Sequence, residues 1–163
     1  MAEDQMQQIH DLLSEFDTAM LVTHGGDFAH ARPMAIAAVE PNCDVWFFTG
    51  RSSLKVHEIQ DDQSVLVACQ DEHQRYISLL GRAELVAERP KTRQLWNDSY
   101  KMWFPQGLGD PDLLLICIHA SEAEYWDNRG VKGVRYLFQT AGTRARATRP
   151  ASQEGEQRGK VNR

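Results

Sequence analysis

The sequence predicts a mainly β protein, a small antiparallel β-barrel with a few helices at its periphery. Many short segments have the composition of β-strands, and turns that contain glycine or proline separate them. These strand patterns do not alternate regularly with long helical patterns, which argues against a doubly wound parallel sheet. The length of 163 residues fits a single domain.

Three segments have the pattern of helices, at residues 4–16, 53–60 and 90–100. In the first, apolar residues recur at the spacing of one buried helical face. The second begins at a pair of serines, a residue type that suits the N-cap position. We predict that the third starts at Pro90, because proline is well tolerated in the first turn of a helix.

Eight segments have the composition of strands. A turn that contains two glycines, His24–Asp27, separates the first two and indicates a hairpin. Pro33 in the second segment indicates an edge strand or a bulge, because proline cannot donate to a strand ladder. Gly81 in the fifth indicates a bulge or a close approach of backbone. The predicted strands are residues 18–23, 28–39, 45–49, 64–69, 76–86, 113–119, 123–127 and 134–138.

The composition changes near the carboxyl end of the chain. Residues 142–163 contain six basic and two acidic residues and almost no large apolar ones. Such a segment cannot bury enough apolar surface to fold by itself. We therefore predict one folded domain, residues 1–140, followed by a basic and flexible tail, residues 141–163.

Charge and cysteine content limit the class of protein. The net charge is −5 and the isoelectric point is near 5.6, which argues against general nucleic-acid binding. The first residues lack the apolar core of a signal peptide, and no apolar run approaches the length of a membrane span. The three cysteines lack metal-site spacing, and two of them lie in apolar strand patterns typical of buried thiols. We expect a cytoplasmic protein that binds neither membranes nor nucleic acids.

The most informative segment is residues 31–59, where polar groups suited to a phosphate follow one another in a hairpin and a helix. Arg32 offers a bidentate fork and Lys55 a point charge. Ser53 and the first N–H groups of the predicted helix add donors, since helix N-termini attract anions. Each residue alone would be explained as an ordinary surface or capping residue. Their order along one hairpin and helix predicts a phosphate site.

A flat aromatic ligand would also need an apolar wall. Aromatic faces suit planar partners, and four side chains are candidates. Backbone groups near Phe48 and Thr49 could contact the polar edge of such a ligand. The candidate wall residues are Trp46, Trp103, Phe104 and Trp126.

Several blocks of the sequence are similar to a known family. They read T-A-M-L-V-T, A-R-P-M, W-F-F-T-G-R-S-S-L-K-V, Y-I-S-L-L-G-R-A-E-L-V, W-F-P-Q-G-L-G-D-P-D-L-L-L-I-C-I and A-E-Y-W-D. Over roughly residues 5–140 the chain resembles the FMN-binding split barrels related to pyridoxamine 5′-phosphate oxidase. It resembles most closely their general stress protein 26 branch.

The resemblance implies a split β-barrel that forms a homodimer with FMN at the subunit interface. By motif match, the phosphate would be bound by Arg32, Ser53 and Lys55. Trp103 and Phe104 would approach the flavin ring. The full set of cofactor-binding residues implied by the resemblance is Arg32, Pro33, Met34, Phe48, Thr49, Gly50, Ser53, Leu54, Lys55, Trp103 and Phe104.

The chain departs from true pyridoxamine 5′-phosphate oxidases at its carboxyl end. Those enzymes handle substrate with an Arg-x-His element, whereas this chain reads T-R-A-R-A-T-R-P and has no histidine after His119. This difference argues against oxidation of vitamin B6. The resemblance therefore implies a flavin-dependent oxidoreductase of unknown small-molecule substrate, and no catalytic acid or base is identified.

Other functions remain open from the sequence. The same residues would serve a non-catalytic module that binds or senses FMN. The barrel could instead hold a deazaflavin, or haem with His119 as an axial ligand. We predict no metal site, because His24 and His30 lack further ligands at suitable spacing and the sequence has no H-E-x-x-H motif. An exposed patch of Trp103, Phe104 and Pro105 would favour a dimer.

Overall fold

The computed structural model describes residues 2–127, 131–138 and 147–148. The described part consists mainly of antiparallel strands with three short helices. The helices are α1 (Ala2–Leu13), α2 (Leu54–Asp61) and α3 (Arg89–Leu95), and single 3₁₀ turns occupy Asp98–Met102 and Gly107–Gly109. The strands are β1 (Thr18–Gly25), β2 (Phe28–Ala35), β3 (Ala38–Val39), β4 (Val45–Gly50), β5 (Ser64–Gln70), β6 (Tyr76–Val86), β7 (Leu113–Asp127), β8 (Val131–Leu137) and β9 (Ala147–Thr148).

The strands form one sheet in the order β2-β1-β5-β6-β7-β4-β3, in which all neighbours are antiparallel. The link between β2 and β3 joins the two ends of this order. The Ile36 N–H donates to the Asp17 carbonyl at 2.9 Å, on the β1 side, and the Ala37 N–H donates to the Trp46 carbonyl at 2.8 Å, on the β4 side. The chain therefore links the two edges of a curled antiparallel sheet, as in a split barrel, which confirms the predicted fold class.

The central strand of the barrel is β7. Its first half pairs with β4, its second half pairs with β8, and β6 lies along its other side. Its buried residues alternate between two apolar clusters. Ile116 and Ile118 belong to the barrel core, whereas Leu115 and Cys117 belong to a second cluster with Phe48. Both faces of β7 are covered, which explains its continuous apolar sequence.

Several boundaries differ from the sequence prediction; the first helix, for example, ends at Leu13 and not at residue 16. The predicted strand 28–39 is two strands, because the chain changes its pairing partner between Ile36 and Ala37. The two predicted strands 113–119 and 123–127 are the single strand β7. The third helix ends at Leu95, and its predicted last turn belongs to the following 3₁₀ turn.

Other local predictions are confirmed. Pro33 lies in β2, at the end of the strand order, where its missing N–H is tolerated. All three cysteines are buried and free. Gly81 lies at a shift in the register between β6 and β7.

The predicted tail, residues 141–163, lies outside the described residues apart from Ala147–Thr148, which pairs with β8. Among the helices of the described ranges, none is long and apolar enough to cross a membrane.

The bulge at Gly81 gives a test of this fold. A Cβ atom at Gly81 would lie 2.3 Å from the His119 carbonyl oxygen, so an alanine would force backbone to move. We expect Gly81→Ala to lower the free energy of unfolding by about 2 kcal/mol, the usual size of an overpacking effect. Urea denaturation followed by circular dichroism measures this change.

Gly109→Ala is the matched control, because a Cβ atom there would have no heavy-atom neighbour within 4 Å. Equal stability of the two variants would contradict the register shift at Gly81.

Candidate functional site

A cavity of about 380 Å³ lies where β2, β4 and the first turn of α2 meet the segment 100–112. One side of the cavity carries cationic and hydroxyl groups, and the opposite side carries aromatic rings. The lining residues are Arg32, Pro33, Met34, Ala35, Phe48, Thr49, Gly50, Lys55, Tyr100, Trp103, Phe104 and Asp112.

The guanidinium of Arg32 is fixed by neighbours on three sides. Its Nη1 donates to the Thr23 hydroxyl at 2.6 Å and to the Leu21 carbonyl at 3.3 Å. Its Nη2 donates to the Glu58 carboxylate at 3.2 Å. These contacts use three of the five N–H donors of an arginine, so the side chain is held in place while it still faces the cavity.

Glu58 is the buried counterion of this region. Its side chain is only 5% exposed, and its second carboxylate oxygen lies 2.7 Å from Nδ1 of His30. A buried carboxylate is stable only when it is paired and hydrogen-bonded. Glu58 therefore attaches α2 to the β1–β2 hairpin through Arg32 and His30. Sequence reasoning missed this role, because the partners are 26 and 28 residues away and no local pattern links them.

Lys55 lies in the first turn of α2 and donates to the Thr49 hydroxyl at 3.2 Å. The Thr49 and Ser53 hydroxyls are also 3.2 Å apart, so the three polar groups form a chain. Among the residues that the structure describes, Lys55 has no ion-pair partner. Burial lowers the pKa of Lys55 below its ordinary value of 10.5, the nearby charge of Arg32 lowers it further, and the Asp112 carboxylate opposes the shift. An anion in the cavity would relieve that repulsion.

Ser53 is the residue before α2, but its side chain makes no capping hydrogen bond to the helix. Its hydroxyl points to Thr49 instead. The Val56 N–H donates to the Ser53 carbonyl at 3.1 Å, but the first N–H groups of α2 receive no hydrogen bond from the Ser53 hydroxyl. Such a helix start is suited to an anion from outside the chain.

Asp112 holds the loop between β4 and α2. Its carboxylate accepts from the Ser52 N–H at 2.9 Å and from the Ser52 hydroxyl at 3.2 Å. Its carbonyl accepts from the Arg51 N–H at 2.7 Å. A Cβ atom at Gly50 would lie 2.4 Å from the same carboxylate, so a larger residue there would require the Asp112 side chain to move. The loop that leads to Ser53 is thus fixed by a residue 60 positions after Ser52, immediately before β7.

The aromatic side of the cavity is a set of packed rings. Phe48 contacts Tyr100 at a centroid distance of 4.8 Å and Trp96 at 5.8 Å. Trp103 lies 6.2 Å from Tyr100 and is 59% exposed. Phe104 is buried in the cluster below. The rings offer an apolar surface, part of which is open to solvent.

The structure brings nine of the eleven predicted binding residues to this cavity. Ser53 lies next to the cavity, where its hydroxyl is hydrogen-bonded to that of Thr49. Leu54 points to solvent and is 63% exposed. Two of the predicted wall residues are elsewhere. Trp46 packs under Lys91, whose Nζ lies 4.7 Å from its ring centroid, and Trp126 lies against β6 opposite Tyr76.

Three lining residues were not predicted, namely Ala35, Tyr100 and Asp112. The sequence predicts a helix up to Tyr100, whereas the structure has a 3₁₀ turn there that brings the Tyr100 ring onto Phe48. Asp112 ends a D-P-D sequence, which by itself is typical of a turn. The expected exposed patch is only partly present, because Phe104 is buried while Trp103 and Pro105 are exposed.

The chemistry of the cavity is that of a site for a planar anion. Positive charge and hydroxyl donors at one end are suited to the oxygens of an anionic group. The aromatic rings at the other end are suited to a flat apolar body. Neither a nucleophile paired with a base nor a metal cluster lines this cavity within the described residues.

Comparisons with known proteins agree with this fold. The model of the family described as pyridoxamine 5′-phosphate oxidase like matches residues 4–150. No curated protein matches the chain.

Solved structures share the fold. A protein from Clostridium acetobutylicum related to general stress protein 26 of the pyridoxinephosphate oxidase family superposes with a TM-score of 0.71. It is 19% identical, over 84% of this chain and 96% of that one. General stress protein 26 from Bacillus anthracis has a TM-score of 0.67 and 24% identity, over 77% and 94% of the two chains. A pyridoxamine 5′-phosphate oxidase-related, FMN-binding protein from Nostoc punctiforme has a TM-score of 0.68 and 14% identity, over 90% and 94%.

The role of Glu58 can be tested by stability. Glu58→Ala leaves Arg32 and His30 without their shared carboxylate. Breaking a fully buried pair costs roughly 3–5 kcal/mol. Because the Arg32 side chain is 21% exposed, we expect a smaller loss, about 2 kcal/mol, in the free energy of unfolding by urea.

Glu72→Ala is the control for removal of a carboxylate, since the Glu72 side chain is 88% exposed. If Glu58→Ala were no less stable than this control, Glu58 would not be the attachment point of α2.

Proposed function

The chain belongs to the pyridoxamine 5′-phosphate oxidase-like family, and on that premise we propose that it binds FMN in the cavity beside Lys55 and acts as a flavin-dependent oxidoreductase. One observation carries the proposal. Lys55 is a cation with no ion-pair partner in the described part of the chain, and it faces the same cavity as a wall of aromatic rings.

The residues present fit a flavin mononucleotide. Lys55 supplies a positive charge that forms no ion pair within the described residues, and Arg32, already neutralised by Glu58, supplies directed N–H donors. The Ser53 hydroxyl adds a donor at the start of α2. These three residues would hold the phosphate. Lys55 would act as a point charge and Arg32 as a planar pair of N–H donors.

The flavin ring would lie along β4 and against the aromatic side. Backbone of Phe48, Thr49 and Gly50 would run beside it, with Pro33 and Met34 on the neighbouring strand. Trp103 and Phe104 would bound the ring on the other side. When bound, the flavin supplies the redox chemistry, and the protein supplies position and electrostatics. We assign no catalytic acid or base to this chain.

We further propose that the protein is a homodimer with the cofactor at the subunit interface. The segment beside the cavity carries apolar side chains that a monomer would leave in water, Met102 at 74% exposure and Trp103 at 59%. Sedimentation of the FMN-loaded protein at the mass of two chains is expected. A monomer at micromolar concentration would contradict the proposal.

The proposed location is the cytoplasm. All three cysteines are free and buried, which suits a reducing compartment.

The enzyme and the non-catalytic module differ in turnover. We expect FMN-loaded protein to oxidise a reduced nicotinamide and pass the electrons to a small acceptor, with a rate proportional to protein-bound flavin. Stoichiometric FMN without turnover over a broad panel of donors and acceptors would instead identify a binding or sensing module. A Soret band in the purified protein would identify haem in place of flavin.

Removal of the two cations tests the site. We expect the double variant Arg32→Ala, Lys55→Ala to lose FMN during desalting, while wild-type protein keeps about one flavin per chain. Lys55→Ala alone should weaken binding by roughly 10- to 100-fold, the value of a hydrogen bond to a charged group. The visible spectrum after desalting and fluorescence titration measure retention and affinity.

Arg51→Ala is the matched control, because Arg51 is exposed and lies in the same loop but does not line the cavity. It should bind FMN within about twofold of wild type, since exposed charges are screened. A double variant with wild-type affinity would refute the assignment of the phosphate site.

The lowered pKa of Lys55 predicts a pH dependence of FMN affinity. The ammonium form binds phosphate, and it is lost as pH rises through a pKa that lies below 10.5. The affinity for FMN should therefore begin to fall at a lower pH than it would if Lys55 had the pKa of an ordinary lysine.

Lys55→Arg should bind with nearly constant affinity over the same range, because arginine stays protonated. Ionisation of the flavin itself is common to both proteins and cancels in the comparison. Identical pH profiles for the two proteins would show that Lys55 does not contact the phosphate.

A further inference from the structure

A second cavity, about 740 Å³ in volume, lies elsewhere on the barrel and shares no lining residue with the first. Asp44 and His119 line it, and Cys117 is buried next to them. The ligand atoms of these three side chains all lie within 4.8 Å of one another. Such a set of sulfur, nitrogen and oxygen ligands has the composition of a transition-metal site.

The strand pairing brings the three residues together. Cys117 and His119 are two residues apart on β7, so their side chains leave the same face of the sheet. Asp44 immediately precedes β4, in which Val45 pairs with Ile118. Asp44 therefore lies beside both side chains although it is 73 residues from Cys117 in sequence. This separation is why spacing along the chain predicted no metal site.

We propose that Asp44, Cys117 and His119 bind one divalent transition metal of the zinc class, with the remaining coordination position open to the cavity. Cys117 Sγ is 4.0 Å from Asp44 Oδ2 and 4.0 Å from His119 Nδ1, and the latter two atoms are 2.9 Å apart. A tetrahedral zinc site places sulfur and nitrogen about 3.5 Å apart, and nitrogen and oxygen about 3.3 Å apart. Side-chain movements of about half an ångström would bring all three ligands to those distances.

Glu84 supports this assignment from outside the ligand set. Its carboxylate lies 2.7 Å from His119 Nε2, the ring nitrogen that faces away from Asp44 and Cys117. Metal-binding histidines usually donate their second N–H to a carboxylate, which fixes the ring and its tautomer. With Nε2–H donating to Glu84, a metal would displace the proton that Nδ1 shares with Asp44 at 2.9 Å and bind Nδ1 on the side of Asp44 and Cys117.

Without a metal, the Cys117 thiol keeps its proton. Burial and, to a smaller extent, neighbouring carboxylates, Asp44 first, raise the pKa of the Cys117 thiol to about 12. The thiol is therefore protonated without a metal, and binding releases its proton to solvent as the sulfur–metal bond forms. The ligand set disfavours calcium and magnesium, which take oxygen ligands.

The position of His119 also bears on the haem alternative. Both ring nitrogens lie within 2.9 Å of a carboxylate oxygen, and the residue lines the second cavity only. His119 cannot serve as an axial ligand in the cavity that holds Arg32 and Lys55.

Cobalt and zinc titrations of tag-free, metal-stripped protein test the proposal. We expect one Co²⁺ per chain, with the strong visible bands of tetrahedral cobalt and the near-ultraviolet band of a cobalt–thiolate bond. Zn²⁺ should displace it with the same stoichiometry in calorimetry. Cys117→Ser should remove the thiolate band, and His119→Gln and Asp44→Asn should each weaken Zn²⁺ binding at least tenfold.

Matched controls distinguish this site from other thiols and imidazoles. Cys69→Ser removes another buried free cysteine, and His73→Ala removes an exposed histidine whose side chain is 71% exposed. Both should bind metal as wild type does. Glu84→Gln keeps all three ligands and should still show the thiolate band, with affinity lowered roughly 10-fold or more.

Three results would overturn the proposal. They are no stoichiometric metal in wild-type protein, a cobalt spectrum without a thiolate band, or equal affinity in wild type and His119→Gln. Each would identify the cluster as a histidine hydrogen-bonded between two carboxylates. His119 is half exposed, so its variant is expected to fold even where Cys117→Ser does not. FMN retention, measured on the same samples, reports separately on the proposed flavin site.

Discussion

The buried carboxylate of Glu58 is the constraint on which the candidate flavin site depends. A carboxylate removed from water must be paired, so α2 can pack against the barrel only where Arg32 and His30 meet it. The contact is close, since a Cβ atom at Gly25 would lie 2.3 Å from Glu58 Oε2. Once α2 is fixed in this way, its first turn carries Ser53 and Lys55 to the cavity. One ion pair thus sets both the direction of the arginine and the position of the lysine.

The two cations of the cavity consequently have different roles. The charge of Arg32 is balanced by Glu58, so this residue contributes donors in a fixed direction. Lys55 is partly buried beside a like charge, which lowers its pKa, and it contributes the positive potential. The same barrel keeps the proposed metal ligands in a separate cavity, where carboxylates dominate. The division follows from β7, whose neighbours β4 and β6 supply Asp44 and Glu84 around Cys117 and His119.

Sequence patterns predicted what is local and missed what is distant. Arg32 and the segment from Phe48 to Lys55 were recognised because they lie within one hairpin and one helix. Glu58, Tyr100 and Asp112 were missed because their roles depend on residues that only the folded sheet brings close. Strand existence was predictable from alternation and turn residues, but the change of partner between Ile36 and Ala37 was not. Hydrophobic pattern specifies which face is buried, and it does not specify which strand lies opposite.

The contacts of Asp112 constrain the order in which the protein folds. It holds the Ser52 loop from 60 residues further along the chain, so the cavity is complete only after β7 has paired with β4. Closing a loop of that length is entropically unfavourable until many contacts form together, which places it late in folding. A nascent chain that ends before residue 112 therefore lacks one wall of the cavity. A ligand of this cavity would stabilise the finished fold by mass action and could not template the early steps.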